Sequence, residues 1–372
     1  MKKKIGTVLV MAFSAGIGWA CGYLAMRYMD RIFGDGLGFG PMCLLFGTLL
    51  LGIYAAVFVQ LILHEAGHLV FGLLSGYRFS SFRIGSLMWV KQDGVLHFRR
   101  LSIAGTGGQC LMAPPDLVDG RIPVTLYNLG GAMMNLIASG VFFALYWAAA
   151  PDSLVSLTFC VLAIVGVMTA LMNGVPLHLG TVDNDGYNAL SLRRDPEAQR
   201  AFWVQLEVNA RTAEGVRLRD MDDMWFQIPS DAAMKNSMVA AVGVLACSRL
   251  MDEHRFDEAE RQMARFLALD SGIVGLHRGL MICDRIYTEL ITQNRPEALN
   301  ALRTKAQEKF MKSMKGYPSV IRTEYAWALL GERNREQAEK YKELFEKRAK
   351  SYPYPSEIQS ERELMEIAKA AL

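Results

Sequence analysis

Apolar residues are not spread evenly along this chain of 372 residues. Four uncharged runs, Ile5–Met26, Gly36–Leu63, Ile122–Pro151 and Ser153–Val182, all fall in its first half. A helix that crosses a bilayer needs roughly 20 apolar residues. Each run therefore predicts a span, placed at about 5–29, 42–75, 122–149 and 153–173. Between the second and third runs the pattern changes. The segment FRIGSLMWVKQDGVLHFRRLSI alternates apolar and polar residues around Asp93-Gly94, which is a hairpin signal. It predicts a small β-sheet beside the membrane over 79–110, either a structured connector or an edge that takes up an extended peptide by strand addition. From about residue 187 apolar positions recur at helical spacing among charged ones. The predicted fold class is mainly α: a polytopic membrane helix bundle of about four spans with a small membrane-proximal β-hairpin, followed by a soluble α-solenoid-like helical domain. The expected boundaries are 1–190 and 191–372.

Charge sharpens this division. Of 77 charged residues only 20 lie in 1–186. The apolar content of 52% excludes a disordered chain, and a scattered net charge of +3 gives no footprint for nucleic acid. The six cysteines form no CxxC pair and so indicate neither a zinc ribbon nor a disulfide framework. Lys2, Lys3 and Lys4 precede the first run, which reads as a retained signal anchor because no A-x-A-like cleavage site closes it. Basic residues collect on the cytoplasmic side of short loops. Lys2–Lys4, the basic segment 78–121 and Arg193-Arg194 then lie inside, and the turn at 27–31, with Arg27 and Arg31, and the turn at 152, with no basic residue, lie outside. The expectation is a multi-pass protein of the cell membrane with both termini cytoplasmic, in a layout that suits a bacterial cytoplasmic membrane.

Candidate chemistry sits in the second run. His64-Glu65-Ala66-Gly67-His68 is an H-E-x-x-H pattern. On a helix, residues i and i+4 share a face, so both imidazoles can point at one metal ion, with Glu65 beside them as a general base that does not ligate. One zinc ion is the natural occupant of such a set. Ionisable groups at membrane depth are costly and usually functional. Nine uncharged residues separate His68 from Arg78, roughly 13 Å of helix, which places the motif nearer the cytoplasmic edge. The run from Pro41 to Ser75 would be about 50 Å long as one helix, so a break is expected at Gly52 or at the Gly72/Gly76 end. The third ligand is sought at the end of the fourth run, where Asn173 and Pro176 break the helix and Asp183 and Asp185 follow. By the charge rule this segment returns to the same face as His64 and His68.

These residues resemble the site-2 protease family of intramembrane zinc metalloproteases, over roughly residues 40–190. The family pairs an HExGH-type motif with a later N-x-x-P-x-x-x-x-D-G motif. His64, Glu65, Gly67 and His68 match the first, and Asn173, Pro176, Asp185 and Gly186 look like the second. Gly131 to Asn135 resembles the family's G-x-x-x-N element. The chain departs in one place: eight residues, rather than four, separate Pro176 from Asp185. The resemblance implies zinc held by His64, His68 and Asp185, with Asp183 and then His178 as alternatives for the third ligand, and substrate contacts from Asn173 and Asn135. It implies hydrolysis of a membrane-spanning protein substrate within the lipid bilayer. A membrane-anchored zinc peptidase acting on non-membrane segments and an inactive scaffold are the alternatives.

In the second half, Phe256-Asp257-Glu258-Ala259, Arg295-Pro296-Glu297-Ala298 and Arg335-Glu336-Gln337-Ala338 recur at near-constant spacing. Helix–turn–helix units at a fixed period predict a short α-solenoid. The stretch 255–270 looks like the second helix of a tetratricopeptide-type repeat, whose surface suits a protein or peptide partner.

Overall fold

The computed structural model describes residues 38–372, except 104–105, 151–152 and 178–182, together with scattered residues between 11 and 26. The chain is mainly helical with one four-stranded antiparallel sheet. It divides into two compact units, residues 1–77 with 123–194 and residues 78–122 with 195–372.

Among the described residues, the first unit contains three helices long and apolar enough to cross a membrane. They are α1 (Phe39–Leu74), α2 (Val124–Ala148) and α3 (Leu154–Gly174). A short fourth helix, α4 (Asp185–Arg194), follows α3. The span expected at 5–29 lies largely outside the described residues. Helix α1 runs 36 residues without interruption, so the break expected at Gly52 is absent. An interior glycine costs a helix only about 1 kcal/mol relative to alanine, and an open turn in lipid would strand backbone polar groups. Gly72 is likewise inside the helix. The stop comes at Gly76, which takes φ +85°. Tyr77 N–H then donates to Gly72 O at 3.0 Å and Gly76 N–H to Leu73 O at 3.1 Å, a left-handed glycine cap that satisfies the last carbonyls.

The second unit holds the sheet. Its strands are β1 (Arg78–Ile84), β2 (Leu87–Gln92), β3 (Val95–Arg100) and β4 (Gly108–Ala113), in the order β3-β2-β1-β4. Asp93 and Gly94 both have positive φ and join β2 to β3 with Gln92 paired to Val95, the two-residue turn that suits strand twist. One face of the sheet carries Met88 and Val90 into the core of the helical part. Gln92 Nε2 donates to Ala213 O and Pro353 O, both at 3.0 Å, and Trp203 Nε1 donates to Pro115 O at 2.9 Å. The sheet therefore packs with residues 195–372. The sequence boundary at 190 assigned it to the membrane part, because it lies between two spans along the chain.

The helical part comprises α5 (Pro196–Ala213), α6 (Ser237–Asp252), α7 (Phe256–Ala268), α8 (Gly275–Ile291), α9 (Pro296–Leu302), α10 (Lys305–Ser313), α11 (Pro318–Ala326), α12 (Arg335–Ala349) and α13 (Pro355–Ala370). The three repeated segments of the sequence each open a helix: α7, α9 and α12. Each is preceded by a non-glycine residue at positive φ, His254, Asn294 and Arg333. The same left-handed corner thus recurs at matched places. Ala259 and Ala338 are buried at the equivalent positions, where a small side chain lets the new helix seat against the core.

Candidate metal centre

The site is built by three helices of the first unit and the start of α4. His64 and His68 are one turn apart on α1 and both are buried, at 7% and 9% exposure. Their Nε2 atoms lie 3.2 Å from each other. Asp185, the first residue of α4, brings its Oδ2 to 3.0 Å from His64 Nε2 and 3.5 Å from His68 Nε2. Ligand atoms about 2.0–2.1 Å from a tetrahedral zinc stand roughly 3.3 Å apart, so the three atoms have the separations that one ion requires. His64, His68 and Asp185 are the set capable of holding a metal among the described residues. Asp183 is not part of it, and His178 lies outside the described residues.

The protons around these atoms decide what the site accepts. His68 Nδ1 is 2.8 Å from the carbonyl oxygen of Tyr127, which can only accept, so Nδ1 carries the proton. His64 Nδ1 is 2.8 Å from Asn135 Oδ1. The Asn135 amide is oriented by its other end, since Nδ2 donates to Gln60 O and Gln60 Oε1, each at 2.8 Å. Both imidazoles thus carry hydrogen on Nδ1, which leaves Nε2 as the atom free to ligate. Asp185 Oδ2 is buried beside both Nε2 atoms. With Nε2 deprotonated, three lone pairs converge, an arrangement that only a shared cation, a proton or a metal ion, can hold together. The donor set of two imidazoles and a carboxylate is one that zinc takes with a position left open, so these residues fit the ion that the sequence implies.

Bare backbone makes the geometry possible. A Cβ on Gly67 would overlap the carbonyl oxygen of Gly130, and one on Gly130 would press on Gly67 O, so α1 and α2 touch backbone to backbone beside His68. A Cβ on Gly131 would fall 2.5 Å from His64 Cε1. Gly131 and Asn135, one turn apart on α2, therefore provide the room for the His64 ring and its hydrogen-bond partner.

Several residues that position the site could not be found from motif spacing. Asn184 is one. Its Oδ1 accepts from Leu177 N–H at 2.9 Å and from Tyr187 N–H at 3.0 Å. Its Nδ2 donates to Met172 O at 2.7 Å and Val175 O at 2.6 Å. It caps α4 and ties that helix to the end of α3. The two ends of the lengthened Pro176–Asp185 interval are thereby pinned together, so four extra residues need not displace Asp185. A preferred helix-capping residue just before Asp185 was the available signal. Gln60 and the carbonyl of Tyr127 carried none.

The remaining site residues fall as follows. Glu65 is buried next to His64 on α1. Asn173 sits in the last turn of α3 and donates to Thr169 O at 3.0 Å. Asn135 is fully buried, and its amide hydrogen-bonds His64 and Gln60. Neither family models, curated proteins nor solved structures give a match to this chain.

Proposed function

We propose that this chain is an intramembrane zinc endopeptidase of the site-2 protease type, hydrolysing peptide bonds of a membrane-tethered protein near the cytoplasmic face. The observation that carries the reading is the convergence of three ligand atoms, from His64, His68 and Asp185, among helices apolar enough to lie in lipid. Zinc, when bound there, supplies activation of water and polarisation of the scissile carbonyl. Glu65 takes the proton of the attacking water as general base and returns it to the leaving amine. The Asn173 carbonyl oxygen, with its amide nitrogen held by Thr169 O, accepts a backbone N–H of the unwound substrate. That unwinding is required because backbone groups in a membrane helix are already paired.

In this reading the membrane domain is multi-pass with both termini cytoplasmic. The helical domain forms a short α-solenoid that binds a protein or peptide partner. The test is cleavage. Wild type and Glu65→Gln are purified in detergent and assayed on single-span substrates. Cleavage within the spanning segment by wild type alone is expected. Cuts only outside the spanning segment indicate the membrane-anchored peptidase, and zinc binding without cleavage by either protein indicates the scaffold.

A further inference from the structure

Gln60 belongs to no motif, yet it is wholly buried among apolar helices. It lies one turn before His64 on α1. Burying an amide is unfavourable unless its hydrogen bonds are made, and every group of this one has a partner on another helix. Its Nε2 donates to Leu162 O on α3 at 2.9 Å. Its Oε1 accepts from Asn135 Nδ2 on α2 at 2.8 Å. Space for it is reserved on α3, where a Cβ on Gly166 would fall 2.5 Å from Gln60 Nε2.

The bonds have a direction. A backbone carbonyl only accepts, so Leu162 O fixes which end of the Gln60 amide is the nitrogen. That leaves Oε1 facing Asn135, where it joins the Gln60 backbone carbonyl, also 2.8 Å from Asn135 Nδ2, in pointing the Asn135 nitrogen back. Asn135 Oδ1 must then face His64 and receive its Nδ1 proton. The lone pair of His64 Nε2 is left for the centre. We propose that Gln60 is a positioning residue for the metal centre, acting through Asn135 to hold His64 in the tautomer that can ligate. This inference rests on the reading of His64, His68 and Asp185 as a metal site. It makes the donor face of the site depend on all three spanning helices at once, because the relay begins on α3, crosses α1 and α2, and returns to α1.

Removing the glutamine amide takes away one of the two acceptors that hold Asn135 Nδ2, the Gln60 backbone carbonyl being the other, and so weakens the hold on the Asn135 orientation that keeps the proton on His64 Nδ1. Partners of this outer kind typically change metal affinity by about 10–100-fold when lost. The test uses the full chain in detergent, with zinc affinity measured by chelator competition and the visible d–d spectrum recorded after cobalt substitution. Gln60→Met keeps length without the amide. It is expected to bind zinc about 10–100-fold more weakly than wild type and to show an altered cobalt spectrum. Gln60→Glu still presents an acceptor to Asn135 and is expected to stay close to wild type. If Gln60→Met does not purify folded, Gly166→Ala combined with Ser139→Ala, which removes the Ser139 Oγ that the new methyl would also meet and leaves the methyl to press on the Gln60 amide, is expected to weaken zinc in the same sense. Ser139→Ala, a buried neighbour outside the relay, is the packing control and is expected to change nothing. Wild-type affinity in Gln60→Met or in the combined Gly166→Ala and Ser139→Ala variant, or equal loss in Gln60→Met and Gln60→Glu, would overturn the proposal. Absence of zinc from wild type would instead overturn the metal reading beneath it.

Discussion

The choice between two nearby aspartates shows how the centre works at the scale of single residues. Asp185 supplies a buried oxygen within 3.5 Å of both imidazole nitrogens, while Asp183 stands outside the set. Asp185→Ala should therefore lose zinc by more than the roughly 10–100-fold typical of an outer partner, and Asp183→Ala should retain it, as metal analysis of the purified proteins will report. Gly131→Ala makes a second prediction. Its methyl would stand 2.5 Å from His64 Cε1, so the ring must rotate, and zinc affinity and cleavage should fall together. A wild-type zinc affinity in this variant would mean that the ring has more freedom than its neighbours suggest. Legibility was uneven at this scale. His64, Glu65 and His68 could be read because helical spacing places i and i+4 on one face. Asp185 was preferred to Asp183 because Gly186 follows it, as in the motif it resembles. Gln60 and Tyr127 could not be read, since they meet the site only through helix packing, and Asn184 offered no more than its place before a helix.

At the scale of elements, α1 and α2 meet backbone to backbone beside His68, at Gly67 and Gly130. Gly67→Ala places a methyl into Gly130 O, and the rigid partner leaves no room to yield. The variant should separate the helices beside His68 and abolish cleavage. Crosslinking between cysteines placed on α1 and α2 away from the centre should weaken with it, and unchanged crosslinking would contradict this account. The sequence foresaw the three apolar helices described and offered Gly52 or the Gly72/Gly76 end as the place where α1 breaks; the second of these is where it stops. Glycine is a poor predictor of helix ends in lipid, where the cost of freeing backbone groups exceeds its weak propensity. Gly76 ends the helix because there the chain needs a left-handed residue. The hairpin at Asp93-Gly94 was legible for the same kind of reason, as both residues tolerate the positive φ that the turn demands.

On the scale of the whole molecule, one chain divides into two compact units, and the first carries the helices apolar enough to cross a membrane. The sheet shows that order along the chain is a poor guide to membership, since its Met88 and Val90 join the core of the distant helical part. That core also carries ionisable groups. Burial, reinforced by the like charge of Glu361 and opposed by the Tyr352 hydroxyl, pushes the Glu357 carboxyl up to about 7. The ordinary value is 4.5, so between 4.5 and 7 the folded state holds a proton that the unfolded state has lost. Stability from this group is complete below 4.5 and declines as pH rises through 7. Glu357→Gln should flatten that decline and raise the melting temperature above pH 7, measured by circular dichroism on the full chain. An unchanged slope would show that other groups set it.

The central claim is that His64, His68 and Asp185 hold one metal ion between them. The direct measurement is zinc per chain, by elemental analysis, after wild type, Glu65→Gln, His68→Ala and Asp185→Ala are equilibrated against the same zinc buffer. The account predicts one zinc per chain in the first two and little in the others. A wild type without zinc, or an Asp185→Ala protein that keeps a full complement, would contradict it.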